Sequence, residues 1–360
     1  MSQMFKTIFT LFLVSILFMG CDDKKEEELK IGFVAGLSGK YSSLGTNIRD
    51  GFLLAFDEIG YKIDGKKVNI ILKDDKQDEK EAKRIIDDFI KKDIKLVVGN
   101  ATSSMTAITI KEVNKQKDML LFSATASSND FTSLDDNFLR MQVEHSKKIY
   151  SALISYLNKN NYNKIFFIYD SKNKKYAKGY KEFLESKFVH SIDLNSEYKD
   201  IVKKIKDIEN NLILVVGNSV DSANIVQFIR LNGIDTKVLS SGWAKTLDFI
   251  ENGGKSVEGV LFATGFDDNY QGEYFKEFAK RYYKKYNNKP STHASQGYEL
   301  AKILIQHLKN SSDISTLKNR ILKEKTYVGL QGKIIFDKYG DVFREYFMAE
   351  VRNKEFTKLK

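Results

Sequence analysis

LKIGFVAGLSGKYSSLGTNIRDGFLLAFDEI, residues 29–59, is the stretch that decides the fold. It contains an apolar run at 31–37, a loop of glycine and serine, and a helical pattern of small and apolar residues at 46–59. The apolar run predicts a buried strand, and the later spacing predicts an amphipathic helix. Open α/β sheets bind small ligands where a strand ends and a helix begins. We therefore expect an α/β fold with a binding loop in this stretch.

The rest of the chain repeats this alternation of strand and helix in two successive series, the second opening near Glu144. The predicted strands are apolar without alternation, as expected where helices cover both faces of a parallel sheet. These strands lie at 68–72, 94–98, 119–122, 165–169, 212–216, 237–239, 260–263, 334–336 and 346–351, and the helices at 79–91, 104–115, 149–159, 179–188, 220–231, 271–286 and 292–308. Two series predict two doubly wound parallel-sheet lobes, with a ligand cleft between them.

The N-terminal segment has the features of a targeting signal. Lys6 precedes an apolar run at 8–18, and Phe-Met-Gly stands before Cys21, the single cysteine. The run is too short to span a bilayer as a helix. It resembles a bacterial lipoprotein signal, which implies cleavage before Cys21 and lipid on its sulfur. A signal peptide cut elsewhere, with Cys21 free and buried, is the alternative. The charged residues 22–30 predict a solvated tether, or an extension of the first strand.

Composition excludes several classes of partner and of stabilising bond. The chain has 360 residues, 42% of them hydrophobic, and a formal net charge of +10. We expect no nucleic-acid binding, because no stripe of lysine and arginine is interleaved with aromatic residues. With a single cysteine, both lobes must be held together by packing alone.

The motif searches find no catalytic or metal-binding pattern. The phosphate-loop-like spacing at 60–67 ends in lysine and follows a predicted helix, and the sequence has neither a GxSxG nor an HExxH motif. The four histidines, His145, His190, His293 and His307, are far apart in the sequence. We therefore expect no catalytic residues, no metal and no cofactor.

Hydroxyl groups cluster after two predicted strands. VVGNATSSMTAI at 97–108 contains Ser103 and Ser104, and LFSATASSND at 121–130 contains Thr125 and Ser127. One such cluster is usually only a helix N-cap. Two clusters on neighbouring strand ends, beside the loop at 36–45, are expected to converge on one face. Hydroxyls and free amides at helix N-termini suit a carboxylate.

These segments resemble, in order, the type I solute-binding family, the periplasmic proteins for leucine, isoleucine and valine and their relatives. The resemblance covers 29–353 and includes KIFFIYDSKNKKYAKGY, SSGWAKT, VEGVLFATGF, HASQGYELAKIL and QGKIIFDKYGDV. It implies two α/β lobes joined by a three-strand hinge, closure on a ligand, and no catalysis. The boundaries it implies are signal peptide 1–20, lipidated cysteine and tether 21–28, lobe one 29–146 with 268–325, and lobe two 147–267 with 326–360.

The resemblance also assigns roles to residues of both hydroxyl clusters and of the second lobe. Ser103 matches the serine that contacts the ligand carboxylate, and Ser127 matches the hydroxyl that helps to hold the amino group. Thr125 matches a backbone contact between them, and Ser104 is expected to assist. Tyr176 matches the aromatic residue that closes over the ligand.

Several positions depart from the amino-acid binders of that family. Leu44 stands where they often have an aromatic residue, and His293 where they often have phenylalanine. SSGWAKT, residues 240–246, lacks the glutamate that pairs with the ligand ammonium, which makes a standard aliphatic amino acid doubtful because a buried ammonium needs an anion. Asp267 and Asp268 at a strand end, or Asp221 at a helix start, could supply that charge, and Asp268 is the one included in the predicted site. The favoured alternatives are an N-cap role for Asp221 and a turn role for at least one of the other two. Trp243 is either a stacking surface for the ligand or a core residue.

We therefore predict an extracytoplasmic, membrane-anchored solute-binding lipoprotein of an ABC importer. Its partners are expected to be a small amino-acid-like, amide or carboxylate ligand and an ABC permease in the inner membrane, and the protein is expected to be a monomer. A periplasmic sensing subunit for a receptor kinase or chemoreceptor shares the fold and is an alternative. A hydrolase is a more distant one, because it needs a base beside Ser103 or Ser127, and His293 is the single candidate.

Overall fold

The computed structural model describes residues 28–309 and 311–359. The predicted signal peptide, the lipidation site Cys21 and residues 22–27 of the tether lie outside the described residues. Glu28, assigned by the sequence to the tether, is the first residue of a strand. Among the described residues, every helix is too short or too polar to span a bilayer.

The first sheet has six strands and forms the first lobe. Its strands are β1 (Glu28–Ala35), β2 (Lys62–Ile63), β3 (Lys66–Asp74), β4 (Leu96–Gly99), β5 (Leu120–Ser123) and β6 (Phe138–Arg140), and its helices are α1 (Ser42–Asp57), α2 (Glu79–Lys91) and α3 (Ser103–Val113). The strand order is β2-β3-β1-β4-β5-β6, and every pair is parallel except β2 with β3. The order reverses at β1, so the loops after β1 and β4 diverge and leave a crevice at the carboxyl ends of the strands.

The second lobe repeats this parallel arrangement. It contains β7 (Ile165–Tyr169), β8 (Phe188–Asp193), β9 (Leu212–Val216), β10 (Val238–Ser240) and β11 (Leu261–Thr264), with helices α4 (Ser151–Lys159), α5 (Lys174–Leu184), α6 (Tyr198–Asp207), α7 (Ser219–Leu231) and α8 (Leu247–Gly253). Strands β7 and β9 to β11 are almost entirely buried, which explains their continuous apolar sequences.

The chain then returns to the first lobe before it ends in the second. The returning elements are α9 (Glu273–Tyr286), α10 (Thr292–Leu308), α11 (Leu317–Glu324), β12 (Thr326–Gly329), β13 (Gly332–Phe336) and β14 (Val342–Phe343), followed by β15 (Phe347–Arg352) and β16 (Glu355–Lys358). The last two strands extend the second sheet to the order β16-β15-β11-β10-β9-β7-β8. The chain therefore passes between the lobes three times: after β6, after β11 and after β14.

The small sheet β12-β13-β14 contacts the first lobe. Phe336 packs edge-on against Phe122 of β5 with ring centroids 6.1 Å apart, and the N–H of Arg140 donates to the carbonyl of Gly340 over 3.2 Å. The boundary predicted at residue 326 assigns these strands to the second lobe, whereas only β15 and β16 join the second sheet.

Helices α1 and α10 of the first lobe cross at glycines. A Cβ atom on Gly51 would lie 1.8 Å from the carbonyl oxygen of Ala294, and one on Gly297 would lie 2.3 Å from the carbonyl oxygen of Ile48. Only glycine allows two backbones to approach so closely. This contact fixes α1, whose first turn carries Leu44, against α10, whose first turn carries His293.

Candidate functional site

A cavity lies between the lobes, where the loops after β4 and β5 face those after β7 and β10. Its volume is only about 20 Å³, roughly room for one water. The lining residues are Leu44, Ala101, Thr102, Ser103, Thr125, Gln142, Asn173, Tyr176, Gly242, Trp243 and His293. The lobes thus lie in direct contact in this structure, and a ligand must separate them to enter.

Most of the residues predicted for the site converge on this cavity. Those that line it are Leu44, Ser103, Thr125, Tyr176, Trp243 and His293, and those that do not are Ser104, Ser127 and Asp268. The sequence analysis missed Gln142, which follows β6, and Asn173, which ends a 3₁₀ turn after β7. Asn173 lies three residues before Tyr176, in the segment KIFFIYDSKNKKYAKGY that pointed to Tyr176, so that segment could also have indicated Asn173.

Ser103 joins the two hydroxyl-rich loops of the first lobe. Its Oγ accepts the backbone N–H groups of Ser127 and Ser128 at 3.1 and 3.2 Å. Both lone pairs of the hydroxyl are therefore occupied, and its hydrogen remains for an acceptor in the cavity. The predicted convergence of the two loops is present, and Ser103 is the residue that links them.

The neighbouring threonines, Thr102 and Thr125, can only accept a hydrogen bond from a ligand, whereas Ser103 can donate one. The hydroxyl of Thr125 donates to the carbonyl of Ala101 over 2.6 Å, and that of Thr102 donates to Oε1 of Gln77 over 2.9 Å. Each hydroxyl can therefore offer a ligand only an acceptor lone pair.

Ser104 and Ser127 lie behind the cavity wall. The backbone N–H of Ser104 donates to Oδ1 of Asn173 over 3.1 Å, a bond between the lobes, and its Oγ accepts from the N–H of Lys175 at 3.4 Å. The Ser127 hydroxyl is buried and has no hydrogen-bond partner within residues 28–309 and 311–359. In this closed arrangement Ser104 connects the lobes, and Ser127 supports its loop through its backbone.

Aromatic rings form the second-lobe side of the site. Trp243, which is 5% exposed, stacks on Tyr41 with ring centroids 6.1 Å apart and meets Tyr176 edge-on, also at 6.1 Å. Trp243 both lines the cavity and belongs to the central core cluster. The structure therefore places Trp243 both at the cavity wall and in the core, and its contact with a ligand stays a prediction.

Asp268 is already engaged by a lysine of this chain. Its carboxylate pairs with Nζ of Lys245, which is 2% exposed and also contacts Oγ1 of Thr292 at 3.2 Å. Asp221 is paired with Lys40 at 2.7 Å, and Oδ1 of Asp267 accepts the N–H of Asn269 at 3.0 Å, as in a turn. None of the three acids lines the cavity, so in this state none offers a free carboxylate to a ligand.

Two buried histidines flank the site in their neutral form. His293 lines the cavity, and burial, aided by the nearby charge of Lys245, lowers its pKa to about 3. His145 lies between the Ser127 carbonyl, 3.1 Å from Nδ1, and the rings of Tyr176 and Tyr180, and burial lowers its pKa to about 3 as well. Neither ring carries a charge at neutral pH.

Because both histidines stay neutral in the folded state, we expect the protein to lose stability in mild acid. Their pKa in the unfolded chain is near 6.5, so below that pH the unfolded state binds protons that the folded state does not, and folding weakens as pH falls. Each histidine should lower the free energy of unfolding by about 2 kcal/mol at pH 5 relative to pH 8. We expect His145→Gln to reduce the pH dependence of the free energy of unfolding by about that amount between pH 8 and 5.

Urea unfolding of the two proteins at several pH values measures this dependence. His190→Gln on strand β8 is the control, because His190 is only partly buried there. An unchanged pH slope in His145→Gln would contradict the assignment.

Metal chemistry and a serine–histidine pair find no support in the described ranges. No group of three histidine, cysteine or acidic residues within them is arranged to hold a metal ion. No histidine in those ranges contacts the hydroxyl of Ser103 or Ser127; His145 reaches only the Ser127 carbonyl. His293, with its lowered pKa, is a poor general base.

Comparison with known proteins gives a consistent family. Residues 28–355 match the model of a family described as "Periplasmic binding protein". The Leu/Ile/Val-binding protein BraC3 of Rhizobium johnstonii is 32% identical over 107 residues, a stretch that covers 29% of this chain and 29% of that protein.

Solved structures share the fold over nearly the whole chain. The substrate-binding protein LivJ of Streptococcus pneumoniae in complex with isoleucine has a TM-score of 0.82 at 24% identity, covering 93% of this chain and 100% of that one. A solute-binding protein of an ABC transporter from R. palustris, in complex with benzoate, has a TM-score of 0.83 at 15% identity, covering 92% and 95%.

Proposed function

We propose, because the chain belongs to the periplasmic binding protein family, that it is the solute-binding component of an ABC importer and captures a small ligand between its lobes. The ligand is amino-acid-like, an amide or a carboxylate. The observation that carries the proposal is that Ser103 of the first lobe and Tyr176 and Trp243 of the second line the same cavity. The family places the protein outside the cytoplasm.

Contacts between the lobes supply a mechanism of capture. Asp130 of the first lobe pairs with Lys175 and Lys178 of α5 at 2.5 and 2.7 Å, and Nε2 of Gln77 donates to the carbonyl of Lys172 over 3.1 Å. The lysines hold the pKa of Asp130 below its ordinary value, so this contact persists at neutral pH. A ligand that adds bonds to both lobes shifts the balance from open to closed forms.

The relatives support a small carboxylate-bearing ligand. Isoleucine and benzoate, the ligands in complex with two structural neighbours, differ in size, shape and charge but share a carboxylate. In this chain the hydroxyl of Ser103, directed at the cavity from the start of α3, is the group suited to that shared feature.

The permease, the lipid anchor and the monomeric state complete the proposal. Lipid on Cys21 would keep the protein near its permease, although one acylated chain alone holds weakly and diacylation holds firmly. No catalysis is included, because the site offers no activated nucleophile.

A thermal-shift screen of the purified protein against amino acids, amides and small organic acids tests the proposal. A ligand that binds only the folded state raises the unfolding midpoint, because at 100 times its Kd it stabilises that state by about 2.7 kcal/mol. At least one saturable shift is expected. If none of the three classes stabilises the protein, the proposed function is wrong; if an ester or amide is hydrolysed and Ser103→Ala abolishes that turnover, the protein is an enzyme.

A further inference from the structure

The polar groups that line the cavity are mostly donors toward a ligand. The hydroxyl of Ser103 has both lone pairs occupied. Oδ1 of Asn173 accepts the N–H of Ser104, and Oε1 of Gln142 accepts the Tyr346 hydroxyl at 3.0 Å and Nε2 of Gln296 at 3.3 Å. These three oxygens already accept hydrogen bonds within the protein, Oδ1 of Asn173 through one of its two lone pairs, and the N–H or O–H hydrogens of the three side chains remain for a ligand.

Acceptors in the cavity wall are few and uncharged. Thr102 and Thr125 can each accept through a hydroxyl, and the neutral ring of His293, whose Nδ1 has no partner among the described residues, can accept through a nitrogen. These groups satisfy a ligand hydroxyl or amide but not the charge of an ammonium group. None of the described residues lining the cavity is acidic. An ammonium group closed into this site would therefore lose its hydration without gaining an anion.

The ion pair of Lys245 and Asp268 makes the electrostatic potential in the cavity more positive. The side chain of Lys245 is 1% exposed, whereas that of its partner Asp268 is 26% exposed. Water screens the carboxylate more than the buried ammonium, so the Lys245 charge acts more strongly on the cavity. Lys245 follows the turn Gly242–Ala244, which carries Trp243 of the cavity wall.

We propose that the ligand is a monocarboxylate with an apolar remainder and no α-ammonium group, and that Lys245 is the residue that sets this specificity. This inference rests on the proposed function and narrows its ligand class. Ser103, Asn173 and Gln142 hold the carboxylate oxygens, and Leu44, Tyr176 and Trp243 contact the apolar remainder. Asp268, committed to Lys245, is unavailable to an amino acid.

Two matched pairs of compounds test the ligand class by calorimetry on the unaltered protein. L-leucine is compared with 4-methylpentanoate, and L-phenylalanine with 3-phenylpropanoate; each acid is the amino acid without its ammonium group. We expect at least one acid to bind roughly 100-fold more tightly than its amino acid, given the cost of burying an unpaired ammonium. An amino acid that binds as tightly as its acid, or the failure of both acids, overturns the inference.

Such a failure is distinct from failure of the proposed function. If both pairs fail while the wider screen finds an amide or another amino acid, the protein is still a solute-binding protein and only the ligand class is wrong. If nothing in the screen binds, the proposed function fails.

A charge-neutral variant tests Lys245 itself. The double variant Lys245→Gln with Asp268→Asn removes both charges and keeps side chains able to hydrogen-bond. We expect the affinity ratio of 4-methylpentanoate to 4-methylpentanamide to fall about tenfold. The control is the double variant Lys237→Gln with Glu350→Gln. It removes a partly buried ion pair, 2.6 Å apart, that joins the residue before β10 to strand β15, and neither residue lines the cavity. Equal ratios in both double variants would refute the role of Lys245, and the compound pairs above decide the ligand class even if the first variant does not fold.

Discussion

Ser103→Ala is expected to lower the affinity for the ligand found in the screen by about 100-fold. The variant removes a hydroxyl donor, and hydrogen bonds to charged groups contribute about 1.5–3 kcal/mol. It also leaves the N–H groups of Ser127 and Ser128 without their acceptor, so the loop after β5 shifts. Calorimetric titration measures the affinity, and the unfolding midpoint records the accompanying loss of stability.

Ser104→Ala is the matched control for that experiment. Ser104 is adjacent and also buried, but its Oγ makes only a 3.4 Å contact with the N–H of Lys175. Its backbone bond to Asn173 survives the substitution. We expect its affinity to stay within about threefold of the parent, the effect of losing one weak bond. Equal losses in the two variants would remove Ser103 from its proposed role.

Gly51→Ala is expected to destabilise the first lobe by about 3 kcal/mol or more. Intrinsic helix propensity predicts the reverse, a gain of roughly 1 kcal/mol. Packing decides the sign, because the new Cβ would lie 1.8 Å from the Ala294 carbonyl oxygen, a backbone atom that cannot rotate away. Helices α1 and α10 would have to separate, which opens the core between them. Urea unfolding at neutral pH measures the loss.

Asp57→Ala near the end of the same helix is the control for Gly51→Ala. Asp57 is exposed and paired with Lys285 at 2.8 Å, and exposed ion pairs contribute less than about 1 kcal/mol. A Gly51→Ala protein as stable as Asp57→Ala would show that the helix crossing is looser than described.

The sequence predicts the buried part of this fold well. Strands β4, β5, β7 and β9, and β1 from Ile31 onward, are largely apolar runs, and their hydrophobic signal does not depend on tertiary context. The convergence of the two hydroxyl-rich loops also followed from sequence, because carboxyl ends of parallel neighbours share one edge.

The misses lie at edges and in long-range contacts. A helix was predicted over 179–188, but α5 ends at Leu184 and Phe188 begins β8, an edge strand whose half-exposed pattern lacks a continuous apolar run. Helix α6 was overlooked, although its buried residues Ile201, Val202 and Ile205 follow a helical spacing.

The ion pair of Asp268 with Lys245 forms only where three segments of the chain come together in the folded protein. Lys245, Asp268 and Thr292 are separated by 23 and 24 positions in the chain, and no local pattern links them. The same holds for the small sheet at 326–343, whose contact with Phe122 is a tertiary event. Sequence patterns report burial and period, whereas partner choice among charged residues is set only once the lobes have folded.

Titration of Trp243 fluorescence is the most direct test of the central claim that ligand binds between the lobes. Trp243 is the single tryptophan of the chain and lines the cavity beside Tyr176. The ligand that raises the unfolding midpoint is predicted to change Trp243 emission saturably, with the same Kd as calorimetry, and Ser103→Ala is predicted to shift both curves together. A ligand that stabilises the protein and leaves Trp243 emission unchanged at saturation would place binding elsewhere and contradict the account.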